Sequence, residues 1–424
     1  MGDGALRHRP ATIGRMRVLA IVLLLALVAA CSAPVPGLPT AGPGGSSPVA
    51  SSRASGSPAV VAAGPSNRPG PTTGPGLARL QPPSGAYFGL NLDWGHETAV
   101  EASVSLGRTP AVWVQFARFP LDDGAKANLD TFIDQVAMAR GLALITLEPT
   151  DGLGAITDAA IDDLVKALTG YWDSRGVAAF VRFAHEMNGS WYPWAQQPAA
   201  YIAAFRRVAQ AVHERTPASA MIWAPNQGSG YPFDGGRYEA APGSVDATAL
   251  DTSGDGRLDA ADDPYAPYYP GDDAVDWIGV SLYHWGLAYP WGENEMPRAG
   301  TFANLLRGRD TGAHQGVAAV PDLYADYAVA RDKPLAIIET AILYDPSGPV
   351  SGPTERDLKS AWFKQVFSAS TPKDFPKIGM INWFEWRKQE PEVGRVIDWR
   401  LASDPALARS LLAGVPGGWL RFAD

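Results

Sequence analysis

From Tyr87 onward, short runs of β-branched and apolar residues alternate with stretches in which apolar positions recur every three or four residues. The runs predict strands at Tyr87–Leu92, Ala111–Phe116, Leu142–Leu147, Ala179–Phe183, Ala220–Trp223, Trp277–Leu282, Leu335–Ile338 and Met380–Phe384. Three intervening stretches read as amphipathic helices. Leu129, Phe132, Ile133, Val136 and Met138 form one stripe, and Ile161, Leu164, Val165 and Leu168 form a second behind a Thr157 cap. Tyr201, Ile202, Phe205, Val208, Ala209 and Val212 form a third. Strand–helix alternation belongs to parallel sheets, and eight strands over roughly 340 residues fit a closed (β/α)8 barrel better than an open doubly wound sheet. The stretch from Gln227 to Ala274 breaks the alternation and reads as an insertion between strands five and six.

The chain ahead of Tyr87 has no such pattern. Arg7, Arg9, Arg15 and Arg17 precede an apolar run, Val18 to Ala30, that suits the core of a secretion signal and is too short to span a bilayer. The run ends in Val28-Ala29-Ala30-Cys31, and Cys31 is the sole cysteine. Small residues before a cysteine resemble the lipobox of bacterial lipoproteins, which implies lipidation of Cys31 and stable anchoring through two or more acyl chains. Residues 32–84 are rich in Pro, Gly, Ala, Ser and Thr, and cannot bury enough surface to offset their ordering entropy. The expected division is therefore a signal over 1–31, a disordered tether over 32–84, and a catalytic barrel over 85–424.

Charge and composition narrow the partners. The formal net charge of −9 argues against a nucleic-acid partner, because phosphate binding needs a basic face. Only 19% of residues are charged while 10% are aromatic, including 14 Trp, which suits uncharged polyols better than ionic ligands. A single cysteine removes disulfides, thiol catalysis and zinc–thiolate sites.

In a barrel, chemistry sits at the C-terminal ends of strands. Strand four runs into Arg182-Phe183-Ala184-His185-Glu186-Met187-Asn188-Gly189-Ser190-Trp191-Tyr192-Pro193-Trp194, a polar cluster followed by aromatics. Strand seven ends in Ile337-Ile338-Glu339-Thr340. Two carboxylates facing across a barrel mouth are what glycosidic cleavage requires: one protonates the leaving oxygen and the other attacks the anomeric carbon. Glu148 and Glu385 also end strands and are read as structural or supporting, and Trp113, Trp172 and Trp362 as core. Tyr192 and Trp194 either line the site or pack its loop.

His-Glu-Met-Asn-Gly-Ser-Trp (185–191) resembles the acid/base motif of glycoside hydrolase family 26, which includes endo-β-1,4-mannanases. Trp277–Tyr283, Lys333–Glu339 and Ile381–Phe384 resemble that family's strands six, seven and eight, in order. The resemblance implies a retaining mechanism with Glu186 as acid/base and Glu339 as nucleophile. It also implies that His185 contacts the sugar or orients a carboxylate, and that Trp191, Tyr283 and Trp383 line the cleavage subsite. Asn226, ending strand five, is a further polar candidate, and Trp94 and His96, after strand one, are candidates for a distal subsite. The substrate implied is β-1,4-mannan, with mixed-linkage β-glucan and β-1,3-xylan as alternatives on the same scaffold. No cofactor is expected for catalysis, and the protein is expected to be a monomer.

A second motif lies in the insertion. Residues 251–262 match the twelve-residue calcium loop of EF-hand type, with oxygen side chains from Asp251, Ser253, Asp255, Asp259 and Asp262, the carbonyl of Arg257, and Gly256 at the sharp turn. Asp stands in place of the final Glu, and no helical pattern precedes the loop. A structural calcium ion is expected there.

Two other function classes are compatible with parts of this pattern. A glycan-binding lipoprotein without catalysis would keep the aromatics but lose a glutamate, and both glutamates are present. A metal-dependent barrel hydrolase would use His96, His185 and His284, but no closely spaced His pair occurs.

Overall fold

The computed structural model describes residues 78–287, 291–309 and 319–423. The segment expected to be a secretion signal, Cys31, and the expected tether as far as residue 77 lie outside the described residues. Among the described residues, no helix is long and apolar enough to cross a membrane.

Eight parallel strands form the barrel: β1 (Ala86–Leu92), β2 (Val112–Arg118), β3 (Leu142–Glu148), β4 (Ala179–Phe183), β5 (Ser219–Trp223), β6 (Trp277–Ser281), β7 (Leu335–Thr340) and β8 (Ile378–Glu385). Each pairs with the next, and β1 pairs with β8 from Tyr87 opposite Met380 to Leu92 opposite Glu385, which closes the sheet. The fold is a (β/α)8 barrel. Helices α1 (Ala99–Leu106), α2 (Asp123–Met138), α3 (Asp158–Arg175), α4 (Pro198–Arg215), α5 (Val245–Leu250), α6 (Thr301–Leu306), α7 (Glu355–Val366), α8 (Thr371–Asp374) and α9 (Pro405–Ala413) accompany the strands. A two-stranded hairpin, β9 (Arg387–Glu390) with β10 (Arg395–Asp398), follows β8, and a short β11 (Leu420–Arg421) pairs with the start of β1.

Two apolar clusters reflect the period-two alternation of strand side chains. Val112, Val114, Leu142, Leu144, Phe180, Ile222, Trp277, Ala336, Ile338 and Met380 fill the barrel interior. The other parity, including Leu90, Trp113, Ile145, Val181, Trp223, Ile337 and Trp383, packs outward against the helices. The interior is tight: a Cβ on Gly279 would sit 2.8 Å from Ile222 and 2.9 Å from Ile338, so glycine lets the strands close there.

The helices form where the periodicity placed them. Thr157 caps α3 by accepting from the Ala160 N–H, and Gly176 ends it in the left-handed conformation. On α2, Leu129, Phe132, Ile133 and Val136 are buried, but Met138 is 68% exposed. The helix ends at that residue, so its last turn leaves the barrel wall instead of completing the stripe.

Packing begins upstream of the 85 boundary read from composition. Leu80 is buried, and the Arg79 guanidinium donates to the carbonyls of His213, Thr216 and Ser219 around the end of α4. An arginine fork can satisfy several orphan carbonyls at once, which composition alone does not reveal.

Candidate active site

Arg182 is the inward residue near the end of β4 and is fully buried. Its Nε donates to Thr146 Oγ1 at 2.9 Å, and Nη2 donates to Glu339 Oε1. Glu339 reaches this partner through a bulge. Val280 pairs with Ile337 but Ser281 pairs with Glu339, so Ile338 is an extra residue and the alternation breaks. Ile338 and Glu339 therefore both serve the barrel interior, while Thr340 turns outward and accepts from Trp362 Nε1 at 3.0 Å. The second oxygen, Glu339 Oε2, accepts from the Tyr283 hydroxyl at 2.6 Å.

Beyond β4 the chain leaves extended geometry. Ala184 and Glu186 hold positive φ angles of 47° and 53°, unusual for residues with a Cβ and the kind of local strain that accompanies functional sites. The Glu186 N–H donates to the Ala224 carbonyl at 2.9 Å, which ties this turn to the end of β5. Trp191 Nε1 donates to Glu186 Oε2 at 3.1 Å. Gly189 makes that approach possible, since a Cβ there would lie 2.5 Å from the Trp191 ring. Asn188 and the Asn226 backbone exchange two hydrogen bonds, 2.9 and 2.8 Å, so β4 and β5 are clamped with Asn226 beside Glu186. Burial pushes the Glu186 carboxyl above its ordinary value, and the nearby Glu339 charge pushes it further; Ser281, Arg182 and Asn226 pull it back in part. A carboxyl that keeps its proton beside one held by an arginine and a tyrosine hydroxyl can divide into an acid and a nucleophile.

The remaining sequence candidates divide into those that join this cluster and those that do not. His185 is buried, 3.3 Å from the Tyr192 hydroxyl, with its ring between Phe116, Tyr192 and Trp194. Burial first, then the Arg182 charge, hold its pKa well below the ordinary imidazole value, so it stands neutral. Tyr192 stacks on Trp194 at 4.5 Å and 12°; Trp194 is buried and ties down the loop by donating to the His185 carbonyl, whereas the Tyr192 hydroxyl stays with the polar cluster.

Trp383 is corrected. It is fully buried on the outward face of β8, with Nε1 donating to the Trp399 carbonyl at 2.9 Å and its ring against Phe363. Met380 and Asn382 have the inward parity, which continues at Phe384. Phe384 meets Tyr283 edge-on at 5.7 Å and stacks with Trp386 at 12°, while Trp386 donates to Asn91 Oδ1 at 3.3 Å. Trp399 at 5.3 Å and Trp285 at 6.2 Å also pack on Tyr283, and on β8 the aromatic surface is continued by Phe384 and Trp386. The signal for them was the same alternation, counted one residue further.

Trp94 and His96 are not brought to the carboxylates. Trp94 packs on Trp113 and, edge-on, on Phe132, and donates to the Val114 carbonyl at 2.7 Å. His96 has an 83% exposed side chain and pairs with Asp93 at 2.8 Å. Neither it nor His284, buried against Trp362, approaches His185 in a metal-like cluster among the described residues.

The 251–262 loop is closed by its own hydrogen bonds. Asp251 accepts from the N–H groups of Gly254, Asp255 and Gly256 at 2.7, 3.2 and 2.8 Å. Asp262 accepts from Ser253 and Asp259 at 2.9 and 2.8 Å, and the Ser253 hydroxyl returns to Asp251 at 3.2 Å, so the first and last loop positions lie side by side. Asp255 Oδ1 accepts from the Arg257 N–H at 2.9 Å. Among the described residues, no three acidic or His side chains converge as a ready-made metal cluster. Contrary to the sequence reading, a short helix does precede the loop: α5, capped by Ser244.

No family model matches the chain. In sequence it is similar to Endoglucanase H of Acetivibrio thermocellus, 24% identical over 286 residues, which is 65% of this chain. The chain spans about a quarter of that relative's length (24%). The chain has a closed (β/α)8 barrel, with Glu339 at the end of β7 and Glu186 just beyond β4 in electrostatic contact. Among solved structures, the Bacillus subtilis mannanase BCman is similar at 14% identity and a TM-score of 0.45, over 80% of this chain and 87% of that one. GH26A from Muricauda sp. is similar at 14% identity and a TM-score of 0.43, over 80% and 92%. Fungal β-1,4-galactanases are similar at 10% identity and a TM-score of 0.48, over 78% and 100%.

Proposed function

We propose that this protein is a retaining glycoside hydrolase of family 26 that cleaves a β-linked polysaccharide, in first place β-1,4-mannan, by double displacement. The observation that carries the reading is the asymmetry of the two carboxyls. Glu339 is held by Arg182 and Tyr283, while Glu186, beside Trp191, is pushed toward its protonated form. Glu339 attacks the anomeric carbon as Glu186 gives its proton to the leaving oxygen. Glu186, then a carboxylate, takes a proton from the water that hydrolyses the glycosyl ester. Buried dipoles around Glu339 are fixed before the reaction, so little reorganisation accompanies the charge movement. No metal enters these steps.

A β-1,4- or mixed-linkage β-glucan is the second reading, favoured by the sequence similarity to an endoglucanase. Incubation of the soluble barrel with β-mannans, β-glucans and xylans, with the first-formed anomer followed by NMR, tests both. Hydrolysis of mannan with retention supports the first reading, and hydrolysis confined to glucan supports the second. Inversion, or no turnover on any of them, overturns the mechanism.

The protein is further proposed to act as a monomer outside the cytoplasmic membrane, held there by lipidated Cys31. Cys31→Ser is expected to release it into the medium or block its maturation; wild-type membrane fractionation of that variant would overturn the anchor.

A further inference from the structure

Arg182 raises a question that the two-carboxylate mechanism does not answer. It is a fully buried guanidinium whose one carboxylate hydrogen-bond partner among the described residues is Glu339, and among those residues its Nη1 has no partner. When Glu339 forms an ester, Arg182 loses that counter-ion inside the barrel, and an uncompensated buried charge is costly.

Glu148 stands where a replacement is needed. Thr146 pairs with Arg182 in the β3–β4 register, and Glu148 is two residues further along β3, on the same inward parity as Leu142 and Leu144. It therefore lies one layer above Arg182 at the barrel mouth, partly exposed, and its carboxyl interacts electrostatically with both Arg182 and Glu339. The other charged or titratable groups around it have their own partners. Arg118, opposite on β2, pairs with Asp151 and Asp122. His185 and the Tyr192 hydroxyl, from the loop after β4, are neighbours in contact with each other.

We infer that Glu148 is the alternate counter-ion of Arg182: it stands neutral while Glu339 is a carboxylate and ionises when Glu339 becomes an ester. This rests on the glycosidase reading above. The step balances as follows. A Glu339 oxygen bonds the anomeric carbon, the glycosidic C–O bond breaks, and the leaving oxygen takes the Glu186 proton or departs as an anion if it is a good leaving group. The Glu148 proton passes to water at the mouth, and hydrolysis of the ester returns it. The direction agrees with the resting state. Burial and the Glu339 charge lift the Glu148 carboxyl to about 7 against the pull of Arg182, and esterification removes the Glu339 charge while leaving that of Arg182. Glu148 is a positioning residue in this account, acting on the sugar through Arg182 and Glu339.

The test is a proton count during formation of the glycosyl-enzyme. Wild type, Glu148→Gln and Glu148→Asp are mixed at pH 6.5 with 2,4-dinitrophenyl 2-deoxy-2-fluoro-β-cellobioside and the corresponding β-mannobioside, in weak buffer with an indicator dye. The fluorine slows hydrolysis of the ester, and dinitrophenolate leaves without a proton. Wild type is expected to release about half a proton or more per labelled enzyme beyond Glu148→Gln, since a group titrating near 7 is mostly protonated at that pH. Glu148→Asp is expected to restore part of the release, which a purely structural side chain would not do. Equal proton release in all three proteins, with labelling intact, overturns the inference. Failure of wild type to be labelled at Glu339 by either glycoside overturns the glycosidase reading instead. Should Glu148→Gln fail to fold, release of more than one proton by wild type still requires a second group besides Glu186, and release of one or less with Glu148→Asp matching wild type in pH dependence overturns the inference.

Discussion

The Tyr283 hydroxyl donates to Glu339 Oε2 at 2.6 Å while Arg182 takes Oε1, so one carboxylate is held by both oxygens, from β4 and from the segment after β6. Burial, and then the Glu339 charge, keep the Tyr283 phenol well above its ordinary pKa, so it remains a donor across the working pH range. Hydrogen bonds to charged groups contribute about 1.5–3 kcal/mol. Tyr283→Phe should therefore lower kcat by roughly 10- to 150-fold with circular dichroism and melting temperature little changed. A variant with wild-type kcat would mean that this bond does not orient the attacking oxygen.

The two glutamates should separate by leaving group. Glu339→Ala should reduce turnover by on the order of 1000-fold or more on every substrate. Glu186→Ala should impair poorly activated polysaccharides far more than aryl glycosides with good leaving groups, which need no protonation. As the proposed acid Glu186 would act in its protonated form, and its pKa is raised, so activity should be retained to higher pH than an ordinary carboxyl allows and fall as pH rises through the raised value. In wild type that alkaline limb should be marked on polysaccharide and weak on a dinitrophenyl glycoside, whose leaving group needs no proton.

Trp383 and Trp386, three residues apart on and after β8, should respond oppositely to truncation. Trp383 is buried against the helix layer, so Trp383→Ala should cost about 3–5 kcal/mol in urea unfolding. Trp386→Ala should leave most of the stability in place and raise KM, because its ring lies beside Phe384 at the mouth. The reverse pattern would return Trp383 to the sugar.

His284 is buried against Trp362, and burial lowers its pKa to about 4. The unfolded chain binds that proton near pH 6.5 and the folded one does not, so this group's contribution is complete above 6.5. It is lost as pH falls toward 4. The 2.5-unit difference corresponds to roughly 3 kcal/mol. Urea melts at pH 7.5 and 4.5 should show a smaller loss of stability on acidification for His284→Asn than for wild type. Identical losses would remove His284 as a source of the acid sensitivity.

The 251–262 loop is proposed to bind calcium in a structural role, with Asp251 and Asp262 adjacent in the closed loop. Binding to the folded state alone raises stability by mass action, about 2.7 kcal/mol at 100 times Kd. Millimolar calcium should raise the melting temperature, Asp251→Ala and Asp255→Ala should weaken the effect, and turnover at moderate temperature should persist in chelator. Calorimetry without a binding signal at millimolar calcium would sink the proposal.

What the linear chain determined is what depends on local periodicity and composition. Eight apolar runs spaced by amphipathic helices specify a closed parallel barrel, because each strand must be covered on both faces and each crossover needs a helix. Glu186 and Glu339 stood out as carboxylates closing strands four and seven, and the resemblance at 185–191 and 333–339 is what set them apart from Glu148 and Glu385, which also close strands. The tertiary structure decided everything that depends on facing. The bulge at Ile338 turns Glu339 inward, and the regular alternation of β8 from Met380 onward turns Trp383 outward and leaves Phe384 at the mouth. Arg182 pairs with a residue 157 positions away, and Arg79 reaches α4 from 134 or more. Side-chain direction in a strand reverses with each residue, so a single extra residue changes which groups meet. No local count can locate it without the neighbouring strand.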